Sequence, residues 1–123
     1  MELKVQHLVV RTTDIKIAKE FYISKLGLEV LEETKNFFAA KAGEVRLSFF
    51  EGYEKQQSGE DAGTGVSIIF RVVNLDKAIE EVKEKGIKLK GEIIDIPNFH
   101  KFQEIEEPDG NILYLAEYKV EPV

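Results

Sequence analysis

Two arginines and a histidine stand at positions that could do chemistry. His7 carries an imidazole whose ordinary titration lies near neutral pH, so it can act as a general base, a hydrogen-bond partner or a metal ligand. Arg11 lies four residues further on, and Arg71 follows Arg11 by sixty positions. Two guanidinium groups facing one cavity could clamp a carboxylate or phosphate through paired N–H donors. Two readings of His7 stand side by side: a catalytic or ligand-orienting group, and a cavity-lining imidazole hydrogen-bonded to Ser48, Ser67 or Tyr114. Each arginine likewise reads either as an anion clamp or as half of a rim ion pair with one of the 23 acidic residues.

The spacing of the arginines is part of a longer self-match. Val5-Gln6-His7-Leu8-Val9-Val10-Arg11 returns as Gly65-Val66-Ser67-Ile68-Ile69-Phe70-Arg71, followed by Asp14-Ile15 against Asn74-Leu75. Ala18/Ala78, Glu20/Glu80 and Lys25/Lys85 extend it to Gly27 and Gly86, one position out of step. A repeat of this length is read before anything else. It implies one pseudo-symmetric domain over residues 1–123, with module 1 at about 1–52, a linker at about 53–64 and module 2 at about 65–123.

The elements follow from periodicity. Leu3–Arg11 is rich in β-branched residues and predicts a strand. Asp14 caps a helix whose Ile15, Ala18, Phe21, Tyr22 and Leu26 share one face, and Gly27 ends it. Strands are expected at Leu28–Glu33, Asn36–Lys41 and Val45–Glu51. In the second module Val66–Val73 is a strand and Asn74 caps a helix ended by Gly86. Ile87–Lys90 (extending to Ile94), Phe102–Glu106 and Ile112–Tyr118 are strands, with a Pro-Asp-Gly-Asn turn before the last. The order is strand, helix, strand, strand, strand, twice over.

Strand alternation then sorts the side chains. With Leu8 and Val10 under the helix, His7, Val9 and Arg11 point to the opposite, concave side, as do Ser67, Ile69 and Arg71. Phe50 and Tyr114 on that side would floor an apolar pocket. The remaining phenylalanines read as core under the helices or as dimer contacts. His100, in the irregular Pro97-Asn98-Phe99-His100 segment, reads first as a surface histidine and second as part of a cavity mouth.

Composition narrows the partners. A formal charge of −6 disfavours nucleic acid and anionic membrane, both of which want a basic face. No apolar run is long enough to span a bilayer. The sequence has no cysteine, which removes disulfides, thiolate metal sites and thiol nucleophiles. The expectation is a cytoplasmic protein with a small-molecule ligand.

His7-Leu8-Val9-Val10, Asp14 through Phe21-Tyr22, Leu26-Gly27-Leu28-Glu29-Val30 and Glu107-Pro108-Asp109-Gly110-Asn111 together resemble the vicinal oxygen chelate superfamily. That group includes glyoxalase I, extradiol dioxygenases and bleomycin-resistance proteins. The resemblance implies an α+β fold of paired βαβββ modules forming a cupped, barrel-like mixed sheet, usually in a homodimer. It also implies four metal-ligand positions, which fall here on His7, Ser48, Ser67 and Tyr114. A serine hydroxyl and a neutral phenol are poor ligands, and a catalytic divalent ion wants about three good protein donors. Glyoxalase I is similar in using an arginine at the Arg11 position for a substrate carboxylate. The leading expectation is therefore a member that binds a small, anionic or partly apolar molecule at Arg11, Ser48, Phe50, Ser67, Arg71 and Tyr114, without the standard metal. The alternative is a divalent-metal-dependent lyase or dioxygenase that uses His7 with non-standard ligands.

Overall fold

The repeated pattern of the sequence becomes two four-stranded mixed sheets, each with a helical segment packed on one face. The computed structural model describes residues 1–52 and 67–121. The expected linker, the start of the second module and the last two residues lie outside the described residues. The chain divides into two compact units, Met1–Gln56 and Gln57–Val123.

In the first unit the Asp14 side chain accepts the N–H groups of Lys16 (2.9 Å) and Ile17 (3.2 Å) and so opens helix α1, Ile15–Lys19. The helix then widens into a π-helical stretch, Glu20–Lys25, in which the Leu26 N–H reaches back five residues to the Phe21 carbonyl. The wider turn helps the neighbouring residues Phe21 and Tyr22 both enter the core, where they are buried. Gly27 adopts φ +81°, and the Leu28 N–H closes on the Tyr22 carbonyl. This is the left-handed helix end that glycine takes without a steric cost.

Strands β1 (Leu8–Thr12), β2 (Glu29–Thr34), β3 (Phe37–Ala42) and β4 (Val45–Glu51) form a sheet in the order β1-β4-β3-β2. The β1 pairing to β4 is parallel, and the other two are antiparallel. Strand β1 is shorter than the expected Leu3–Arg11. It runs parallel to β4 with Leu8 opposite Leu47, so Val5 and the residues before it would pass the β4 start at Val45 and find no partner amides. Leu47, Phe49, Phe38 and Ala40 meet the helix side, with Phe38 and Phe49 stacked 4.4 Å apart and Tyr22 4.5 Å from Phe49.

The second unit repeats the plan. Asn74 accepts the Lys77 N–H and caps α2, Leu75–Glu84, which Gly86 ends at φ +74°. Strands β5 (Ile68–Arg71), β6 (Lys88–Ile96), β7 (His100–Glu106) and β8 (Ile112–Tyr118) take the order β5-β8-β7-β6. Under α2 lie Leu75, Ile79, Val82, Ile105, Leu113 and Leu115, an aliphatic core. Strand β6 is longer than expected because its pairing with β7 survives a register shift between Lys90 and Ile94. The buried Gln103 amide spans the irregularity, donating to the Lys90 and Gly91 carbonyls at 3.1 Å each.

One device recurs at both helix starts. Glu51 at the end of β4 accepts the Ile15 N–H (3.2 Å), and Glu117 near the end of β8 accepts the Leu75 N–H (2.8 Å). A carboxylate at a helix N-terminus satisfies an otherwise orphan amide and complements the helix dipole. Each sheet is open, with β1 and β2, or β5 and β6, at its edges. No helix among the described residues is long and apolar enough to cross a membrane.

Candidate functional site

The sites are built on the sheet faces that the helices leave uncovered. In the first unit the pairs Val9–Ser48 and Arg11–Phe50 are in register, with Ala39 opposite Ser48 and Phe37 opposite Phe50. His7 precedes β1 and is exposed, yet its Nδ1 lies 2.7 Å from the Ser48 hydroxyl in a hydrogen bond. Ser48 itself is fully buried. Arg46 Nε donates to the same hydroxyl at 3.4 Å, and its Nη2 donates to Glu32 at 3.0 Å. A polar line therefore runs Glu32, Arg46, Ser48, His7. Ala39 lies between Glu32 and Ser48 in the strand register.

Arg11 is exposed and has no ion-pair or hydrogen-bond partner among the described residues. Beside it, Phe50 is 36% exposed and pairs with Phe37 at 4.8 Å between centroids. A free guanidinium, a half-open aromatic pair and a tethered imidazole thus share one face of one sheet.

In the second unit the uncovered face carries a run of rings. His100 stacks on Tyr118 (5.1 Å, 16°) and on Phe102 (5.4 Å, 26°), while Phe99 meets His100 edge-on at 4.3 Å. Tyr114 contacts Phe102 at 5.6 Å. His100 is half-buried and its Nδ1 is enclosed with no hydrogen-bond partner among the described residues, in contrast to the expected surface histidine. The reason is its register: His100 opens β7 directly opposite Tyr118, so its ring enters the aromatic row and does not remain in a loop. Phe99 and Phe102, expected in the core or at a dimer contact, belong to the same row.

Arg71 lies at the head of this row, its Cζ 5.5 Å from the Tyr118 ring centroid. Both ends of its guanidinium are taken by Glu121, Nη1 to Oε2 at 3.2 Å and Nη2 to Oε1 at 3.0 Å. Glu121 raises the arginine's pKa above its ordinary value, and Arg71 holds the Glu121 carboxyl below the usual range. Ser67 is exposed just ahead of β5, and Tyr114 is half-buried on β8. Glu117 faces the helix side, as alternation from Tyr114 requires.

The structure therefore joins His7 to Ser48 and sets Arg11 beside Phe50 in the first unit, and it sets Arg71 and Tyr114 on the ring-lined face of the second. Arg46, Glu32 and His100 escape a reading of the sequence. Their roles depend on cross-strand neighbours that the one-dimensional pattern leaves unspecified.

The donor set bears on the metal that the fold type implies. Among the described residues no three His, Asp or Glu side chains gather closely enough to hold an ion. Of the four positions only His7 offers a nitrogen, and Ser48, Ser67 and Tyr114 offer only neutral oxygen. These residues do not fit a catalytic divalent centre.

A family model, that of the Glyoxalase/Bleomycin resistance protein/Dioxygenase superfamily, matches residues 4–115. The chain belongs to this superfamily. Within the superfamily it is 30% identical over 126 residues to Uncharacterized protein YwkD of Bacillus subtilis, a match over 92% of this chain and 95% of that protein. Its fold is similar to that of the glyoxalase family protein from Enterococcus faecalis, with TM-score 0.78 and 24% identity over 93% of this chain and 97% of that one. It is also similar to the lactoylglutathione lyase from Agrobacterium tumefaciens, with TM-score 0.72 and 18% identity over 93% and 92% of the two chains. The glyoxalase-type α+β fold, two four-stranded mixed sheets with their helices, is the architecture that the sequence motifs imply.

Proposed function

We propose that this superfamily member binds a small, partly apolar anion on the helix-free faces of its sheets and does so without the usual divalent metal. The observation that carries the reading is the Ser48 hydroxyl between Arg46 and His7. Arg46 Nε–H can only donate, so it uses a lone pair of Ser48 Oγ. Ser48 Oγ keeps its hydrogen to give, and this reading assigns that hydrogen to His7 Nδ1, the tautomer with the ring N–H on Nε2. In that tautomer Nε2–H donates to a ligand oxygen.

Arg11 supplies the charge and Phe50 with Phe37 the apolar surface. A carboxylate held by Arg11 and an oxygen held by His7 would orient such a ligand, with Arg71 and Tyr114 offering a second charged and aromatic pair in the other unit. The alternative is the divalent-metal-dependent lyase or dioxygenase chemistry that the resemblance to glyoxalase I implies, and the lactoylglutathione lyase from Agrobacterium tumefaciens has a similar fold. That reading requires the other tautomer, in which His7 Nδ1–H donates to Ser48 and the Nε2 lone pair faces an ion.

The test is native mass spectrometry of protein purified under non-denaturing conditions, for the wild type and Arg11→Ala. A small anion retained by the wild type and lost from the variant supports the reading. A ligand retained equally by both would remove Arg11 from the site and overturn it.

A further inference from the structure

We infer that the second unit holds an aryl-carboxylate site at Arg71 and that Glu121, from the C-terminal segment, occupies its charged end as a built-in competitor. The inference rests on the reading of the helix-free faces as ligand-binding. It goes further by naming the ligand class and a resident occupant.

The geometry has three parts. First, Arg71 already holds a carboxylate through two parallel N–H···O contacts, 3.0 and 3.2 Å, the arrangement a ligand carboxylate would copy. Second, the ring row begins where that carboxylate sits: Arg71 over Tyr118, Tyr118 on His100, and Phe99 at the edge of both. Phe99 is 45% exposed and Ile69, on the same face of β5, is 53% exposed, so apolar surface is open beside the charge. A flat ring attached to a carboxylate would cover these rings while its charge replaced that of Glu121.

Third, Glu121 is delivered to this point and is still replaceable. The Lys119 N–H is bound to the Phe99 carbonyl at 2.8 Å, and Lys119 Nζ pairs with Asp95, so the segment is pinned two residues before Glu121. Among the described residues Glu121 is held by the arginine alone, and its side chain is 83% exposed. An exposed ion pair of this kind is screened by solvent and worth little. A ligand with both a charge and a ring can exceed that. The equivalent Arg11 has no such occupant among the described residues, so the arrangement is particular to the second unit.

The test is calorimetric or NMR titration of the whole chain with benzoate, and with cyclohexanecarboxylate as the non-aromatic control. Glu121→Gln should tighten benzoate binding, by up to about fivefold. Arg71→Met in the Glu121→Gln background should abolish that gain, and cyclohexanecarboxylate should bind more weakly than benzoate to Glu121→Gln. Both substitutions lie at exposed positions, and circular dichroism checks that the fold is kept. Equal benzoate affinity in the wild type and Glu121→Gln, a gain that survives Arg71→Met, or no benzoate binding at millimolar probe would each overturn the inference. If Glu121→Gln changes nothing while Arg11→Ala still releases the retained anion, this inference fails and the reading of the first unit stands.

Discussion

The two units are built on one plan and distribute their aromatic rings differently. In the first, Phe21, Tyr22, Phe38 and Phe49 lie between helix and sheet, and the other face carries the Glu32–Arg46–Ser48–His7 line, the Phe37–Phe50 pair and an Arg11 unpaired among the described residues. In the second, the buried apolar residues on the helix side are aliphatic and the rings of Phe99, His100, Phe102, Tyr114 and Tyr118 lie on the other face, headed by an arginine already paired. A strand residue faces core or surface by parity alone, so one ancestral pattern can hold either arrangement without changing its backbone. What is kept is the frame: Asp14 and Asn74 at the helix caps, Glu51 and Glu117 on the first helical amides, Gly27 and Gly86 at the helix ends. What differs is the chemistry displayed on that frame.

The comparison can be broken most forcefully in the cores. Phe49→Ala removes a fully buried ring that touches both Tyr22 and Phe38, and should cost ~3–5 kcal/mol in urea or guanidinium unfolding. Leu115→Ala should cost about 2–5 kcal/mol in the aliphatic core. A loss below about 1 kcal/mol for Phe49→Ala would mean that the ring is not the first unit's anchor.

The arginines give the next largest contrast. Arg11→Ala should weaken binding of an anionic ligand by about 1.5–3 kcal/mol, the worth of a charged hydrogen bond. Arg71→Ala should cost less than Arg11→Ala, because in the wild type a ligand gains that contact only by displacing Glu121. Isothermal titration of the two variants with one anion checks the order, and the reverse order would refute the distinction.

The caps differ more finely. Asp14 accepts two backbone amides and Asn74 is seen to accept one. Asp14→Ala should destabilise by ~1 kcal/mol and Asn74→Ala by less, measured as shifts in the unfolding midpoint. The smallest effect is electrostatic. The Glu121 carboxyl is held below its ordinary value in the folded chain, so its pairing is fully present above that ordinary value. The pairing is lost as pH falls through the lowered folded value. NMR titration of the Glu121 side chain should show its midpoint move up toward the ordinary value in Arg71→Met.

The frame was legible in the sequence because its signals are local. The repeat, the capping residues and the Pro-Asp-Gly-Asn turn set the element order, and β4 and β8 run over the expected Val45–Glu51 and Ile112–Tyr118. Strand β1 was read too long because its end is set by where β4 begins, not by its own β-branched residues. The π-helical stretch was hidden because Phe21 and Tyr22 fit an ordinary helical face nearly as well. The site was legible only in part. Alternation places His7, Arg11, Ser48 and Phe50 on one face, but nothing in the sequence says that Arg46 will reach Ser48. The pairing of Arg71 with Glu121 joins residues fifty positions apart and has no local signature. His100 escaped for the same reason, since its ring is buried by strand register with Tyr118.

The account depends on an imidazole that donates from Nε2 and so has no ring nitrogen to give an ion. Calorimetric titration of metal-stripped wild type and His7→Ala with zinc, nickel, manganese and ferrous ions tests this most directly. The account predicts no stoichiometric binding that depends on His7. One equivalent of any of these ions bound tightly by the wild type and lost in His7→Ala would contradict it.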